Sequence, residues 1–236
     1  MTQGRAAAFR QQKKTGRVRR FFYDNGLSIV LLSCFLAFWA GQALTGYRQH
    51  NEDLKEHGQY TINLIEYLRS DHFLEATAEN WESEFLQMFA YVLLTVFLYQ
   101  KGSSESKKPG ESEPVDTEPK RLGKNIPWPV RKGGVILKLY ENSLSLAFLL
   151  LFFIAFSLHA TAGTRLYNRE QQLHGSPLVS VSEYLGTSRF WFEALQNWQS
   201  EFLAIGSMVV LSIFLRQKGS PESKPIDSPH DQTGTD

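Results

Sequence analysis

Two asparagine–glutamate pairs have the residue types and the spacing to build a polar site. Asn80 with Glu84, and Asn197 with Glu201, are each four residues apart, which places both side chains of a pair on one face of a helix. Each pair stands just before an apolar stretch, where a buried carboxylate would need a partner or water. The pattern would suit a cation or a polar substrate. The simpler interpretation, which we favour, is a solvated acid at the start of an apolar segment.

His159 and Gln42 complete this candidate polar site, because they occupy matching positions in the two halves of the chain. His159 is the one histidine in the apolar stretches, which contain no charged residue. We expect it to form an interhelical hydrogen bond. A proton relay would need acids at the same depth, and the apolar stretches contain none.

Motifs for catalysis, cofactors and metals are absent from the sequence. It has no Walker loop, dinucleotide fingerprint, nucleophile elbow or zinc-peptidase helix. Cys34 is the only cysteine, which excludes an intrachain disulfide and a cysteine-based metal site. His57 and His174 lack a second ligand at a recognised spacing. We therefore expect no enzyme, no catalytic residue, no cofactor and no metal.

The two halves of the chain are similar in sequence. Residues 21–108 align with residues 138–225 at a constant offset of 117 positions, and roughly a third of the aligned positions are identical. Asn80-Trp81, for example, aligns with Asn197-Trp198. The alignment predicts two tandem copies of one unit.

Each copy contains two apolar segments, and together they predict an all-α membrane protein with four transmembrane helices. The segments are Leu27–Leu44, Phe85–Leu98, Leu144–Ala162 and Phe202–Leu215. The second segment of each copy is short for a span and could be a buried core helix. An aromatic stripe at helical spacing precedes it, so we expect continuous helices over Phe73–Tyr99 and Phe190–Arg216. The helical loops between the spans would be extracytoplasmic.

Charge asymmetry predicts the orientation. Residues 1–20 are a basic tail without acids, and residues 100–138 hold nine lysines and arginines against five acids. Residues 45–84 hold three against nine. Since short basic segments stay inside, both termini and the linker are expected in the cytoplasm, with the repeats parallel. The composition of residues 109–137 and 226–236 predicts a disordered linker and a disordered tail.

Three strings in the first copy resemble a known family. They are Phe22-Tyr23-Asp24-Asn25-Gly26-Leu27-Ser28, Asn80-Trp81-Glu82-Ser83-Glu84-Phe85-Leu86-Gln87-Met88 and Tyr91-Val92-Leu93-Leu94-Thr95-Val96-Phe97-Leu98, the last followed by Gln100-Lys101-Gly102-Ser103. They are similar to small bacterial integral-membrane proteins known only as a domain of unknown function. The resemblance implies an inner-membrane protein and supplies no activity.

The resemblance extends to the second copy more loosely. There Gln199 replaces Glu82, and Ala204-Ile205 replace Gln87-Met88. Whatever Glu82 and Gln87 do is therefore expected to be needed only once.

These observations predict an uncharacterised multi-pass protein that acts by non-catalytic binding or interaction at the cell envelope. The alternative is a small transporter or channel component with an ion or substrate site near the outer membrane entrance. The expected partners are the lipid bilayer and a second copy of the chain or another membrane protein. A net charge of +1 gives no reason to expect nucleic acid.

Overall fold

The computed structural model describes residues 16–120, 123 and 125–234, and within these ranges every regular element is a helix. The helices are α1 (Arg17–Asp24), α2 (Gly26–Glu56), α3 (Leu64–Leu68), α4 (Asp71–Phe97), α5 (Trp128–Lys132), α6 (Gly134–Glu141), α7 (Ser143–Leu173), α8 (Val181–Tyr184) and α9 (Ser188–Phe214), with a 3₁₀ turn at Pro114–Asp116. The predicted all-α class is confirmed. Residues 1–15 of the predicted basic tail lie outside the described part of the chain.

Helices α2 and α7 are long and apolar enough to cross a membrane. Each has 31 residues. In the most apolar 18-residue stretch of each helix, only 6% of the residues in α2 and 22% of those in α7 are buried inside the protein. The other two predicted spans fall in the C-terminal halves of α4 and α9. Their apolar runs are shorter, and by length and composition α4 and α9 are not among the helices that are apolar enough to cross a membrane.

Helices α4 and α9 are each one continuous helix of 27 residues. Their continuity was predicted from the aromatic stripe and is confirmed, although both begin and end two residues earlier than expected. In α9 the early start has a cause. The Thr187 hydroxyl accepts a hydrogen bond from the Phe190 amide and so satisfies a free N–H of the first turn.

The chain divides into two compact units, Met1–Phe73 and Leu74–Asp236. In the first unit, Ala43, Tyr67 and Phe73 form a core against which Trp39, Tyr47 and Ile62 pack. The Asn51 side chain holds the loop by bonding both the N–H and the C=O of Ile62. A capping box between Asn63 and Glu66 begins α3.

The second unit contains the same local arrangement. Ala160, Tyr184 and Phe190 form its core. Asn168 bonds both backbone groups of Val179, and a capping box of Ser180 and Glu183 begins α8. The matching helices α2 and α7 also have equal lengths, as do α4 and α9.

A glycine in each long helix lets a tyrosine approach the helix backbone. A Cβ atom added at Gly46 would lie 2.2 Å from the Tyr67 hydroxyl oxygen, and one at Gly163 would lie 2.6 Å from that of Tyr184. No larger side chain fits at these positions while the tyrosine stays in place. The glycines thus fix the packing of α3 on α2 and of α8 on α7.

The linker and the tail differ from the predicted disorder over their described residues. The linker contains the 3₁₀ turn and α5, and α6 begins within it. Beside the tail, Lys224 is 1% exposed and its ammonium donates hydrogen bonds to the carbonyl oxygens of Gly102, Pro229, His230 and Gln232. A buried ammonium needs several acceptors. The tail supplies three of them, a requirement that composition alone does not reveal.

We predict that Gly163→Ala lowers the melting temperature of the detergent-purified protein and that Gly206→Ala does not. Alanine is favoured over glycine inside a helix by about 1 kcal/mol. At Gly163 the overlap with Tyr184 should cost about 1–3 kcal/mol, whereas nothing lies within 4 Å of a Cβ at Gly206. Gly46→Ala and its neighbour Gly41→Ala form a second matched pair. Equal melting temperatures within both pairs would contradict the tyrosine packing.

Candidate functional site

Side chains from α4, α7 and α9 meet in a partly buried polar cluster, here called the His159 cluster. It comprises Glu75, Glu79, Glu82, His159, Arg189 and Glu193. On α4 the three glutamates follow one another at helical spacing and so share one face. Helix α7 supplies the histidine, and α9 supplies the arginine and the fourth carboxylate.

The contact between His159 and Glu82 lies at the centre of the cluster. Nδ1 of His159 is 2.8 Å from Oε2 of Glu82, and both side chains are 0% exposed. The other carboxylate oxygen, Oε1, accepts a hydrogen bond of 3.0 Å from the Trp198 indole nitrogen. Glu82 therefore bonds to α7 and to α9 at the same time.

The other ring nitrogen of His159 faces the carboxylate of Glu193, and Glu75 lies close to the same pair. Its Nε2 is 3.8 Å from Oε2 of Glu193, and ligand atoms of Glu75, His159 and Glu193 all lie within 4.8 Å of one another. Nε2 of His159 and Oε1 of Glu75 are buried without a hydrogen-bond partner among the described residues. Histidine and glutamate side chains grouped in this way are those that bind metal ions.

Glu193 is held in place by its neighbours. Arg189 Nε donates to Oε1 at 3.0 Å, and the Tyr184 hydroxyl donates to Oε2 at 3.1 Å. The guanidinium of Arg189 also contacts Glu170, so its positive charge is shared between two carboxylates. The carboxylate of Glu193 is thus oriented toward His159 by groups on α8 and α9.

The carboxyl groups of the cluster differ in their acidity. Burial, reinforced by the charge of Glu193, raises the pKa of Glu75 to about 7. Burial also raises the pKa of Glu79. Burial opposes ionisation of Glu193 as well, but His159 and Arg189 hold the pKa of that carboxyl below its ordinary value. Protons are therefore held unequally across the cluster.

Some of the site residues predicted from sequence lie in or near the cluster. His159 is central, and the Asn197 amide donates to Glu79. Asn80 instead donates to the Ala76 carbonyl oxygen of its own helix. The remaining three are placed elsewhere: Glu84 is exposed, Glu201 accepts from Gln87 through its backbone oxygen, and Gln42 belongs to the first unit.

Sequence reasoning missed most of the cluster and predicted no metal site. Glu75, Glu79 and Arg189 were not singled out, and Glu193 was not considered. The available signal was the spacing of Glu75, Glu79 and Glu82, which places three acids on one face of a helix. The acids beside His159 on α4 come from the polar half of that helix, outside the apolar stretches of the sequence.

A family model described as a domain of unknown function, DUF6766, matches residues 18–235. The chain belongs to this family. The DUF6766 match runs through both halves as a single domain, so it includes every residue of the His159 cluster. No curated protein and no solved structure matches the chain. Membership of DUF6766 therefore supplies no activity, and the site must be interpreted from its own chemistry.

We predict that Trp198→Phe lowers the free energy of unfolding more than Trp191→Phe. The first change removes a hydrogen bond to the buried Glu82 carboxylate, worth about 1.5–3 kcal/mol. The second removes a bond to the neutral Leu185 carbonyl oxygen at an exposed position, worth about 1 kcal/mol. Chemical denaturation in detergent measures both. A larger loss in Trp191→Phe would contradict the central role of Glu82.

Proposed function

We propose that this chain is a non-catalytic, four-span protein of the bacterial inner membrane that binds a cation in the His159 cluster. In this proposal the two halves are tandem copies, and both termini face the cytoplasm. The cluster then lies near the outer surface of the membrane. The support for each part is different in kind.

The exposed apolar surface of the helices supports insertion in a membrane. A soluble protein rarely exposes a continuous apolar patch of more than a few hundred Å². The large apolar side chains exposed on α2 include Leu27, Val30, Leu31, Leu32, Phe35, Leu36 and Phe38. Those on α7 include Leu144, Leu146, Leu150, Leu151, Phe153, Ile154 and Leu158. Lipid is the solvent that suits such surfaces.

The C-terminal halves of α4 and α9 supply the proposed third and fourth crossings. They also expose apolar side chains, among them Leu94, Val96, Phe97, Val210, Leu211 and Phe214. A span requires about 20 residues of helix, and each helix has 27. The apolar half alone is shorter than a span, so the adjoining turns of the polar half must complete the crossing while the rest of that half occupies the interface. The basic segments 1–20 and 100–138 adjoin the opposite ends of the proposed spans and favour a cytoplasmic location for those ends.

The charge imbalance of the His159 cluster is the observation that carries the cation proposal. Its four carboxylates face one arginine and one histidine, and Arg189 is shared with a further acid, Glu170. Buried carboxylates in excess of their partners are unfavourable unless a proton or another cation compensates them. His159 lies about 24 Å along α7 from Ser143, which places the cluster near the outer boundary of a bilayer core of about 30 Å.

The non-catalytic role is proposed from the sequence, in which the catalytic motifs considered above were not found. Among the described residues no serine, threonine or cysteine is hydrogen-bonded to His159. Partners proposed for the protein are the bilayer and either a second copy or another membrane protein. The alternative role as a transporter component requires ion movement, which purified protein in proteoliposomes would reveal as cation flux.

We predict that the four-span topology can be read from thiol labelling in intact cells. In a Cys34→Ser background, Gln59→Cys should react with impermeant reagents because residue 59 follows α2 on the outer side. Ser112→Cys and Ser228→Cys should react only with permeant reagents. Labelling of Ser112→Cys from outside would contradict the topology.

We also predict that a cation raises the melting temperature of the purified protein through the cluster. Sodium, potassium, magnesium, calcium and zinc salts would be compared at constant ionic strength, since general screening would otherwise act on all charges. Glu75→Gln should remove the rise, because it deletes one of the excess carboxylates. Glu84→Gln, on the same helix but exposed, should keep it. Loss only in Glu84→Gln would move the site to the pair predicted from sequence.

A further inference from the structure

We propose that the His159 cluster holds a divalent first-row transition-metal ion, such as Zn²⁺, Mn²⁺, Fe²⁺ or Co²⁺. Its protein ligands are Nε2 of His159 and one carboxylate oxygen each from Glu75 and Glu193. This inference rests on the proposed cation site and narrows it to a metal class and a set of ligands.

The hydrogen bond to Glu82 leaves Nε2 of His159 as a ligand atom. An ionised carboxylate can only accept, so Nδ1 of His159 carries the hydrogen in its 2.8 Å contact with Glu82. The neutral ring then has its lone pair on Nε2, and no donor reaches that atom among the described residues. The side chain is 0% exposed. A metal ion would satisfy a lone pair that is otherwise buried unpaired.

Glu75 and Glu193 approach this lone pair from two different helices. One oxygen from each carboxylate and a ring nitrogen of His159 lie within 4.8 Å of one another, and Nε2 is 3.8 Å from Oε2 of Glu193. Oε1 of Glu75 is itself buried and has no hydrogen-bond partner among the described residues. Metal–ligand distances of about 2.0–2.2 Å would draw the three atoms together by roughly 1 Å. The Glu75 side chain can make this movement by rotating its terminal bonds.

The donor set selects the metal class. One imidazole with two carboxylates suits first-row transition metals, whereas Mg²⁺ and Ca²⁺ favour oxygen ligands alone. Three protein ligands would also leave coordination positions for water or another small ligand.

Two of the three ligands are also oriented by further hydrogen bonds, as metal ligands usually are. Glu82 fixes His159, and Tyr184 with Arg189 fixes Glu193. Glu82 is itself fixed by the Trp198 indole.

A metal-free ion-pair network is the competing interpretation. In it His159 is doubly protonated, Nδ1–H bonds Glu82 and Nε2–H points toward Glu193 at 3.8 Å. A metal ion could enter such a network only by displacing the proton from Nε2, because the protonated ring offers no lone pair. Metal binding at neutral pH therefore favours the metal site over the ion-pair network.

The experiment uses the full-length protein, purified in detergent, stripped with EDTA and dialysed against CoCl₂. We expect one Co²⁺ per chain, visible absorption from nitrogen and oxygen ligation, displacement by ZnCl₂ and a raised melting temperature. Glu75→Gln should abolish measurable binding. Glu82→Gln keeps all three ligands and should weaken binding by about 10- to 100-fold. Glu84→Gln should bind as the parent does.

The outcomes are distinct from those of the cation proposal. Stabilisation by Na⁺ or Mg²⁺ without Co²⁺ or Zn²⁺ binding would leave a cation site and overturn the metal class. Failure of every cation to bind or stabilise would overturn both. Unchanged Co²⁺ affinity in a folded Glu75→Gln protein would overturn the ligand set. His159→Gln, which introduces the residue found at position 42, should remove the absorption band; if that variant does not fold, Glu75→Gln still decides the question.

Discussion

A histidine and a glutamate that are both shielded from solvent constrain how three helices of the second unit pack. Each oxygen of Glu82 bonds to a different helix, one to His159 on α7 and the other to Trp198 on α9. Removing one hydrogen-bond partner from this buried carboxyl group would cost at least about 1–3 kcal/mol, because the oxygen it leaves would be buried and unsatisfied. A shift of α4 along either neighbour would break one of these bonds. The axial positions of all three helices are thus coupled through one side chain.

The helices could be predicted from the sequence because their signals are local and periodic. Aromatic residues at Phe73, Trp81 and Phe85 continue one stripe from the polar into the apolar half of α4, and this indicated a single helix. The ends were two residues off because capping, as at Thr187, depends on individual hydrogen bonds rather than on period. Composition predicted disorder in the tail because its stabilising contacts reach residues far away in the sequence. The Thr233 hydroxyl accepts a hydrogen bond from the Gly102 amide, and Lys224, buried among the turns of the tail, donates to the Gly102 carbonyl oxygen.

The site was harder to predict because its residues are those that differ between the two similar halves of the chain. The predicted polar site consisted mainly of residues that are identical in the two halves, such as Asn80 with Asn197 and Glu84 with Glu201. The cluster instead consists of residues that differ between them. Glu75, Glu79 and Glu82 match Phe192, Gln196 and Gln199, and His159 and Glu193 match Gln42 and Ala76. Shared residues build the common scaffold, which includes the Tyr–Gly contacts and the asparagine-bridged loops. A functional site present once must come from the positions where the halves differ.

The first unit shows what the same scaffold forms without these charges. There Tyr67 forms a hydrogen bond with His72, whose ring lies 4.8 Å from that of His50. Burial, aided by His50, lowers the pKa of His72, so this layer favours neutral side chains. At the positions of His72 and His50 the second unit has Arg189 and Tyr167, and its tyrosine hydroxyl bonds the carboxylate of Glu193. One scaffold therefore supports a neutral aromatic layer in one unit and a charged cluster in the other. Because a neutral layer needs no counter-ion and a cluster with excess carboxylates does, the second unit is where a bound cation would stabilise the fold.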